Sequence, residues 1–245
     1  MGNPYFNFKK FGIWQEKSAM KVCTDSCIFG AFVSQAIHAD FKNHENLQVL
    51  DVGTGTGLLS LMLSQKNDNL NITAIEPDLD SFLECKLNFE KSNWADRLIP
   101  IQQNLETFAP LKSNAFDIII CNPPFFINHL PSPSESRNKA LHTSKHEWEN
   151  WLVQLTQLVS ENGKLWILIS GESLEFSLSI TEKLGFCSET QIDLHQKNKQ
   201  NWRHILCFSK NKTKIPTRFE ANIYEQNGEL SGILKLWLSA FYLKL

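Results

Sequence analysis

The sequence predicts an α/β protein built on a doubly wound sheet, and three observations carry that expectation. Short apolar runs at 47–52, 71–75, 98–102, 116–121 and 164–169 alternate with segments of helical period, as strands alternate with crossover helices in a parallel sheet. The first run feeds a glycine-rich turn, Gly53-Thr54-Gly55-Thr56-Gly57. The fourth stops abruptly at two prolines in Asn122-Pro123-Pro124-Phe125, and in this class ligands bind beyond the carboxyl ends of the strands.

The elements follow in order. Residues 58–65 continue the glycine turn as a helix, and 78–91 place Leu79, Phe82, Leu83 and Leu87 on a helical period. Ser144, three residues before Glu147, makes a capping box for a helix carrying Trp148, Trp151, Leu152 and Leu155, which ends near Gly163. A helix over 174–184 is closed by Gly185. Strands at 186–194 and 202–209, joined by a polar stretch, form an antiparallel hairpin at the sheet's edge. The expected sheet has seven strands, mostly parallel, with this hairpin at its C-terminal side. Residues 126–140 are rich in Pro, Ser and Asn without an apolar period and read as a loop over the site. Ahead of the sheet, Phe6, Phe8 and Phe11 lie among lysines in a terminal arm, and Thr24 is expected to cap a helix through Phe32.

At 245 residues and 42% hydrophobic content the chain can bury one substantial core. No apolar run approaches the roughly 20 residues of a membrane span, and no leader-like start is seen; a soluble, cytoplasmic protein with no membrane partner is expected. The six cysteines include no Cys-x-x-Cys pair and read as reduced thiols. Cys23/Cys27 and His142/His146 have one-turn spacing but lack a third ligand nearby, so no metal is expected. The net charge of −2 argues against a surface coated in nucleic-acid-binding charge. Yet 194–219 holds Lys197, Lys199, Arg203, Lys210, Lys212, Lys214 and Arg218 with no acidic residue, and Trp202 lies among them. Both a solvated hairpin and a phosphate-contacting edge fit this segment.

The chemistry concentrates at two strand ends. Asn122 sits at a strand tip, where its carboxamide oxygen and the carbonyl of Pro123 can both accept hydrogen bonds from one amine, while Phe125 offers an aromatic face. An ordinary proline-rich turn has the same local look. The glycine turn lets a ligand approach the backbone and presents free amides at a helix N-terminus. About 20 residues on, the next strand ends at Glu76, placed to accept ribose hydroxyls.

The order glycine loop, acidic strand end, Asn-Pro-Pro-Phe resembles the S-adenosyl-L-methionine-dependent amino-methyltransferases, whose fold is Rossmann-like. Further segments narrow the resemblance: Phe6-x-Phe8-Lys9-Lys10-Phe11, Ala19-Met20-Lys21-Val22-x-Thr24-Asp25, Leu50 to Leu59, Ala140-Leu141-His142-Thr143 and Phe241-Tyr242-Leu243. Together these are similar to the bacterial valine-tRNA adenine-N6-methyltransferases, which act on adenosine 37 beside the anticodon. The resemblance covers essentially the whole chain. It implies a catalytic set of Asn122, Pro123, Pro124 and Phe125. It implies a cofactor set of Lys21, Thr24, Asp25, Asp51, Gly53, Thr54, Gly55, Gly57, Glu76, Pro77, Asn104 and Asn122. RNA contacts are expected from Lys9, Lys10, Arg137, Lys139, His142, Lys197, Lys199 and Arg203. The implied organisation is an arm and helix over 1–45 packed on the cofactor site, a methyltransferase domain over 46–210 and an extension over 211–245, in a monomer whose partner is tRNA. Two positions depart from the family pattern. Asn104 stands where an aspartate is usual but keeps an acceptor oxygen, and Leu141 stands where an arginine is usual, with Arg137 and Lys139 close by in sequence. A ribosomal-RNA adenine-N6 or guanine-N2 methyltransferase, a protein-glutamine methyltransferase and an inactive cofactor-binding RNA module are the alternatives.

Overall fold

The structure is a computed structural model that describes residues 3–18, 20–123, 145–196, 199–211 and 215–244, with the backbone alone at 199–201. Its contacts group into two units, Met1–Asn104 with Asn222–Leu245, and Leu105–Ala221.

The first unit opens with a hairpin, β1 (Tyr5–Asn7) and β2 (Gly12–Trp14), which pairs Tyr5 with Trp14 and Phe6 with Ile13. The alternation of aromatic and polar residues expected only to pack as an arm therefore makes a small sheet of its own. The Tyr5 ring lies over Gly12, where a Cβ would stand 1.8 Å from the Tyr5 hydroxyl and displace that side chain. Helix α1 (Thr24–Asp40) takes Thr24 as its first residue and runs well past Phe32, so Cys23 rather than the expected Thr24 is its cap.

Strand β3 (Leu47–Val52), helix α2 (Leu58–Lys66), strand β4 (Leu70–Ile75), helix α3 (Leu79–Glu90) and strand β5 (Leu98–Ile101) then form two parallel crossovers. Leu47 to Val52 pair with Leu70 to Ile75, and Ile72 to Ile75 pair with Leu98 to Ile101. Val49, Leu50, Ile72 and Ala74 are fully buried, the reason these strands read as near-continuous apolar runs.

Helix α3 reverses an expectation. Leu79, Leu83 and Leu87, the residues that define its apolar period, are 52%, 49% and 37% exposed. The buried face carries Ser81, Glu84, Cys85, Asn88 and Phe89 instead. Apolar spacing identified the helix but pointed to the wrong side, because the polar residues have partners in the N-terminal segment.

In the second unit come the one-turn helix α4 (Leu105–Phe108), β6 (Phe116–Cys121), α5 (Lys145–Leu158), β7 (Val159–Ser170), α6 (Leu174–Lys183), β8 (Cys187–Gln196), β9 (Lys199–Ser209) and β10 (Thr217–Asn222). Strands β6 and β7 are parallel, with Cys121 opposite Ile167, and β9 runs antiparallel to both β7 and β8. A bulge between Ser188 and Thr190 turns Glu189 inward. There it forms a buried 2.7 Å ion pair with Lys164 and accepts from the Ser209 hydroxyl. Gly185 takes φ +83° after α6, as its closing role requires.

The strand order is β10-β8-β9-β7-β6 in this unit and β3-β4-β5 in the first. The fold is the mostly parallel α/β sheet expected, with its antiparallel hairpin, but the main sheet has eight strands rather than seven. The additional strand, β10, has a single buried residue, Ala221. An edge strand with one side chain in the core shows no apolar alternation from which to recognise it. The Ser144 cap and loop 126–140 lie outside the described residues.

Helix α7 (Gly232–Leu238) belongs to the first unit and packs on α1 through a Phe32–Trp237 contact at 5.0 Å. Beyond it Phe241 is fully buried, and its carbonyl accepts from Lys9 N–H at 2.8 Å.

Candidate active site

In the first unit the ends of β3 and β4 lie level, with Val52 opposite Ile75. The glycine turn folds back onto this end: Gly53 N–H and Thr54 N–H both donate to the Ile75 carbonyl, at 2.9 and 3.1 Å. Gly53 and Gly55 take φ +66° and +57°, and nothing lies within 4 Å of where a Cβ would stand at either. Their bare backbone thus faces open space that a ligand can fill. Gly57 differs. A Cβ there would meet Phe89 at 2.5 Å and Cys85 at 3.1 Å, and Gly57 also takes φ +83°, so both packing of the α2 N-terminus on α3 and a left-handed backbone call for glycine.

Asp51 organises the turn from beneath. Its Oδ2 accepts from the Thr54 hydroxyl at 2.7 Å, the Ser60 hydroxyl at 2.7 Å and Ser60 N–H at 3.2 Å. Its Oδ1 is buried with no partner among the described residues. Burial pushes the Asp51 carboxyl upward, against these hydrogen bonds. Asp51→Asn keeps an acceptor for Thr54 and Ser60 and removes the charge. Scanning fluorimetry at pH 7 should therefore show a higher Tm, by about 2–4 °C for each kcal/mol recovered. A lower Tm would show that the charge itself holds the turn.

Glu76 closes the other side. Its Oε2 accepts from Gly55 N–H at 2.9 Å and its Oε1 from Asp78 N–H at 3.0 Å. One carboxylate thus pins the glycine turn and the entry to α3, whose cap is Asp78 accepting from Ser81 N–H. Burial raises the Glu76 carboxyl above its ordinary value, and the two N–H donors pull it back. Pro77 and Asn104 are exposed, and Gln103 N–H donates to the Glu76 carbonyl at 3.2 Å.

Lys21 and Thr24 are half-buried just before and at the start of α1, and Asp25 is buried in its first turn. The open Gly53–Gly55 backbone and the orphaned Asp51 oxygen fit a bound ligand. Asp51 and Glu76, close enough for their charges to interact, suit one with an ammonium and ribose hydroxyls, as S-adenosyl-L-methionine has. Among the described residues no group of three or more His, Cys, Asp or Glu is arranged for a metal ion.

In the second unit Asn122 and Pro123 follow the last residue of β6, half-buried and buried respectively. Pro124, Phe125, Arg137, Lys139, His142 and Lys197 lie outside the described residues, and Lys199 is described in backbone only. Arg203 stacks on the Trp202 ring at 4.6 Å and bonds the Trp202 carbonyl. Arg203 is opposite Ser170, near the end of β7 whose parallel neighbour β6 leads to Asn122, so within this unit these residues lie toward the same end of the strands, the carboxyl end of β6 and β7. Lys145 lies over Phe176 at 6.0 Å. Lys210, just beyond the other end of β9, pairs with Glu161 at 3.1 Å, so Arg203 and Lys210 lie toward opposite ends of that strand. Lys10 is exposed, whereas the Lys9 ammonium donates to the Ser239 carbonyl at 2.6 Å and ties the N-terminus to the end of α7.

Sequence reasoning passed over Gln15, Glu84 and Asn88, all buried polar side chains bonded to the backbone around the glycine turn and the Lys21 segment. Ser81, Glu84, Cys85 and Asn88 recur at helical spacing, which was a readable signal for a polar buried face.

Residues 20–194 match the Methyltransferase small domain family, which defines the class: an S-adenosyl-L-methionine-dependent methyltransferase. The chain is 33% identical over 246 residues to the tRNA1(Val) (adenine(37)-N6)-methyltransferase of Dyadobacter fermentans, covering 99% of this chain and 98% of the relative. It is 32% identical to the protein of that name from Trichodesmium erythraeum, over the full length of both. The chain belongs to this tRNA1(Val) (adenine(37)-N6)-methyltransferase family. Among solved structures, one described as a predicted O-methyltransferase from Agrobacterium tumefaciens superposes with a TM-score of 0.65 at 13% identity, covering 89% of this chain and 96% of that one. P. horikoshii TYW2 in complex with MeSAdo superposes with a TM-score of 0.57 at 13% identity, covering 82% and 69%. These two share the fold.

Proposed function

We propose that this chain methylates N6 of adenosine 37, beside the anticodon of valine tRNA, and that it works as a cytoplasmic monomer. The observation that carries the reading is the Asn122-Pro123 turn at the end of a buried strand, in a chain that matches its named relatives from end to end.

When bound, S-adenosyl-L-methionine supplies an electrophilic methyl group. Gly53, Thr54 and Gly55 would hold it by backbone and hydroxyl, Glu76 by its ribose hydroxyls, Lys21, Thr24, Asp25 and Asp51 at its methionine end, and Pro77 and Asn104 beside its adenine. Gly57 serves by keeping the loop closed on α3. The target adenosine must leave its stack to be reached. Its amine is a poor nucleophile because the lone pair is delocalised into the ring. Asn122 Oδ1 and the Pro123 carbonyl accept its two hydrogens, favour a pyramidal nitrogen and strengthen their bonds as positive charge grows there. Phe125 would stack on the base, with Pro124 fixing the turn. No strong base is required, and the proton leaves to solvent.

The edge that carries Trp202 and Arg203 supports an RNA substrate, since an aromatic face beside a guanidinium suits an unpaired base and its phosphate. Lys10, Arg137, Lys139, His142, Lys197 and Lys199 are further candidates for phosphate contact. Trp202→Ala should raise the KM for tRNA about tenfold or more, the scale of one base stack, with S-adenosylhomocysteine affinity unchanged. An unaltered KM would remove this edge from the substrate site.

The deciding experiment incubates the protein with labelled S-adenosyl-L-methionine and unmodified tRNA, ribosomal RNA or release factor in parallel, followed by mass spectrometry of the product. N6-methyladenosine at position 37 of valine tRNA is expected. Label in ribosomal RNA or in a glutamine side chain would replace this reading with the corresponding alternative.

A further inference from the structure

Burying a carboxamide and a carboxylate in place of leucines is unfavourable unless every polar atom is bonded. Helix α3 does this with Glu84 and Asn88, which are 8% and 2% exposed, while three leucines one turn apart stay in solvent. Their bonds all leave the helix. Glu84 Oε1 accepts from Lys17 N–H at 2.7 Å, and its Oε2 accepts from Ser18 N–H at 2.9 Å and from the Ser18 hydroxyl. Asn88 Oδ1 accepts from Trp14 N–H at 2.8 Å, while its Nδ2 donates to the Trp14 carbonyl at 3.0 Å and the Thr56 carbonyl at 2.8 Å. Thr56 lies inside the glycine turn. Asn88 therefore joins strand β2 and that turn through a single amide, with both donors and its acceptor in use.

The chain between these anchors leads to the cofactor residues of α1. Gln15, 3% exposed, accepts from Val22 N–H at 2.7 Å and donates to the Asn3 carbonyl at 2.9 Å. The strap from Trp14 to Val22 is thus held at Trp14, at Lys17–Ser18 and at Val22. Lys21 sits just before the last anchor, and Thr24 and Asp25 follow it. From the other side, Gly55 N–H is held by Glu76 at the mouth of the same helix.

We propose that Asn88 and Glu84 are positioning residues of the cofactor site, locking the N-terminal strap and the glycine turn into one register so that cofactor binding orders both together. The inference rests on the glycine turn being the cofactor seat and does not depend on which RNA is methylated. Its consequence is that a ligand touching Gly53–Gly55 also protects the strap, and that loosening either anchor weakens binding without contact to the ligand.

The test uses S-adenosylhomocysteine as the probe, with no RNA present. In hydrogen–deuterium exchange of the full wild-type chain, amides of 14–25 should slow together with those of 53–57 on addition of the probe. Protection confined to 53–57 would overturn the proposal, and this measurement needs no variant. Asn88→Asp has the same size but cannot donate, and it sets a carboxylate against the Trp14 and Thr56 carbonyls. Glu84→Gln turns an amide donor toward the backbone N–H groups of 17–18. Each should raise the probe's Kd at least tenfold by calorimetry on folded protein and lose the linked protection of 14–25. A lower Tm with unchanged Kd and intact linked protection would make both residues merely structural. No binding of the probe to wild type would instead refute the cofactor seat, a failure distinct from that of the coupling.

Discussion

Asn122→Ala should lower turnover about a thousandfold, a far larger effect than its change in the Kd for S-adenosylhomocysteine. Deleting a preorganised polar group that acts on developing charge typically costs 10²–10³ in rate, or about 3–4 kcal/mol of barrier. Alanine leaves the Pro123 carbonyl as a lone acceptor, so one amine hydrogen is unheld and the nitrogen is no longer fixed for attack. The loss belongs in kcat, because the interaction strengthens only as nitrogen becomes positive. Asn122→Asp keeps acceptor oxygens at the same place and should retain more turnover than alanine. Single-turnover methylation of tRNA separates these steps. Near-normal turnover in the alanine variant would remove Asn122 from the catalytic role and leave the turn a structural feature.

What was legible in the sequence was set by how each element meets the core. Strands β3, β4 and β6 are covered on both faces, so their apolar content is nearly continuous and their ends are marked by glycine, glutamate and proline. That made the ends of these strands readable together with the fold. Strand β10 buries only Ala221, and the β1–β2 hairpin gathers aromatics whose alternation fits either an arm or a strand. Helix α3 is the instructive case. Its leucines gave the correct element and the wrong face, since periodicity registers where apolar residues lie and is blind to partners supplied from distant sequence. Glu84 bonds residues 66 and 67 positions away, and Asn88 bonds Thr56 at a separation of 32. Gly57 shares the positive φ of Gly53 and Gly55, and loop spacing grouped the three; what spacing did not show is that its bare Cα also admits Phe89 and Cys85.

Glu76→Ala should raise the cofactor's Kd on the order of 100-fold, the loss of two charge-assisted hydrogen bonds worth about 3 kcal/mol together. Glutamine should be no better. Both carboxylate oxygens already accept backbone N–H groups, from Gly55 and from Asp78, so an amide nitrogen would confront a donor on either side and open the turn. Acidity should act on the same group. Because burial raises the Glu76 carboxyl in the folded protein, its contribution to folding is fully present below the ordinary glutamate range and is lost as pH rises through the elevated value. Cofactor binding should run the other way, since the proposed ribose contact needs the carboxylate charged, so affinity should fall as pH drops through that value. Calorimetry with S-adenosylhomocysteine across this window should show the decline in wild type and its loss in Glu76→Ala. An equal pH dependence in both proteins would assign the titration to another group, with Asp51, also raised by burial, the next to be tested. A buried carboxylate that must be charged to bind its ligand opposes folding when the ligand is absent, and the Gly55 and Asp78 amides, which favour the charged form, offset part of that cost.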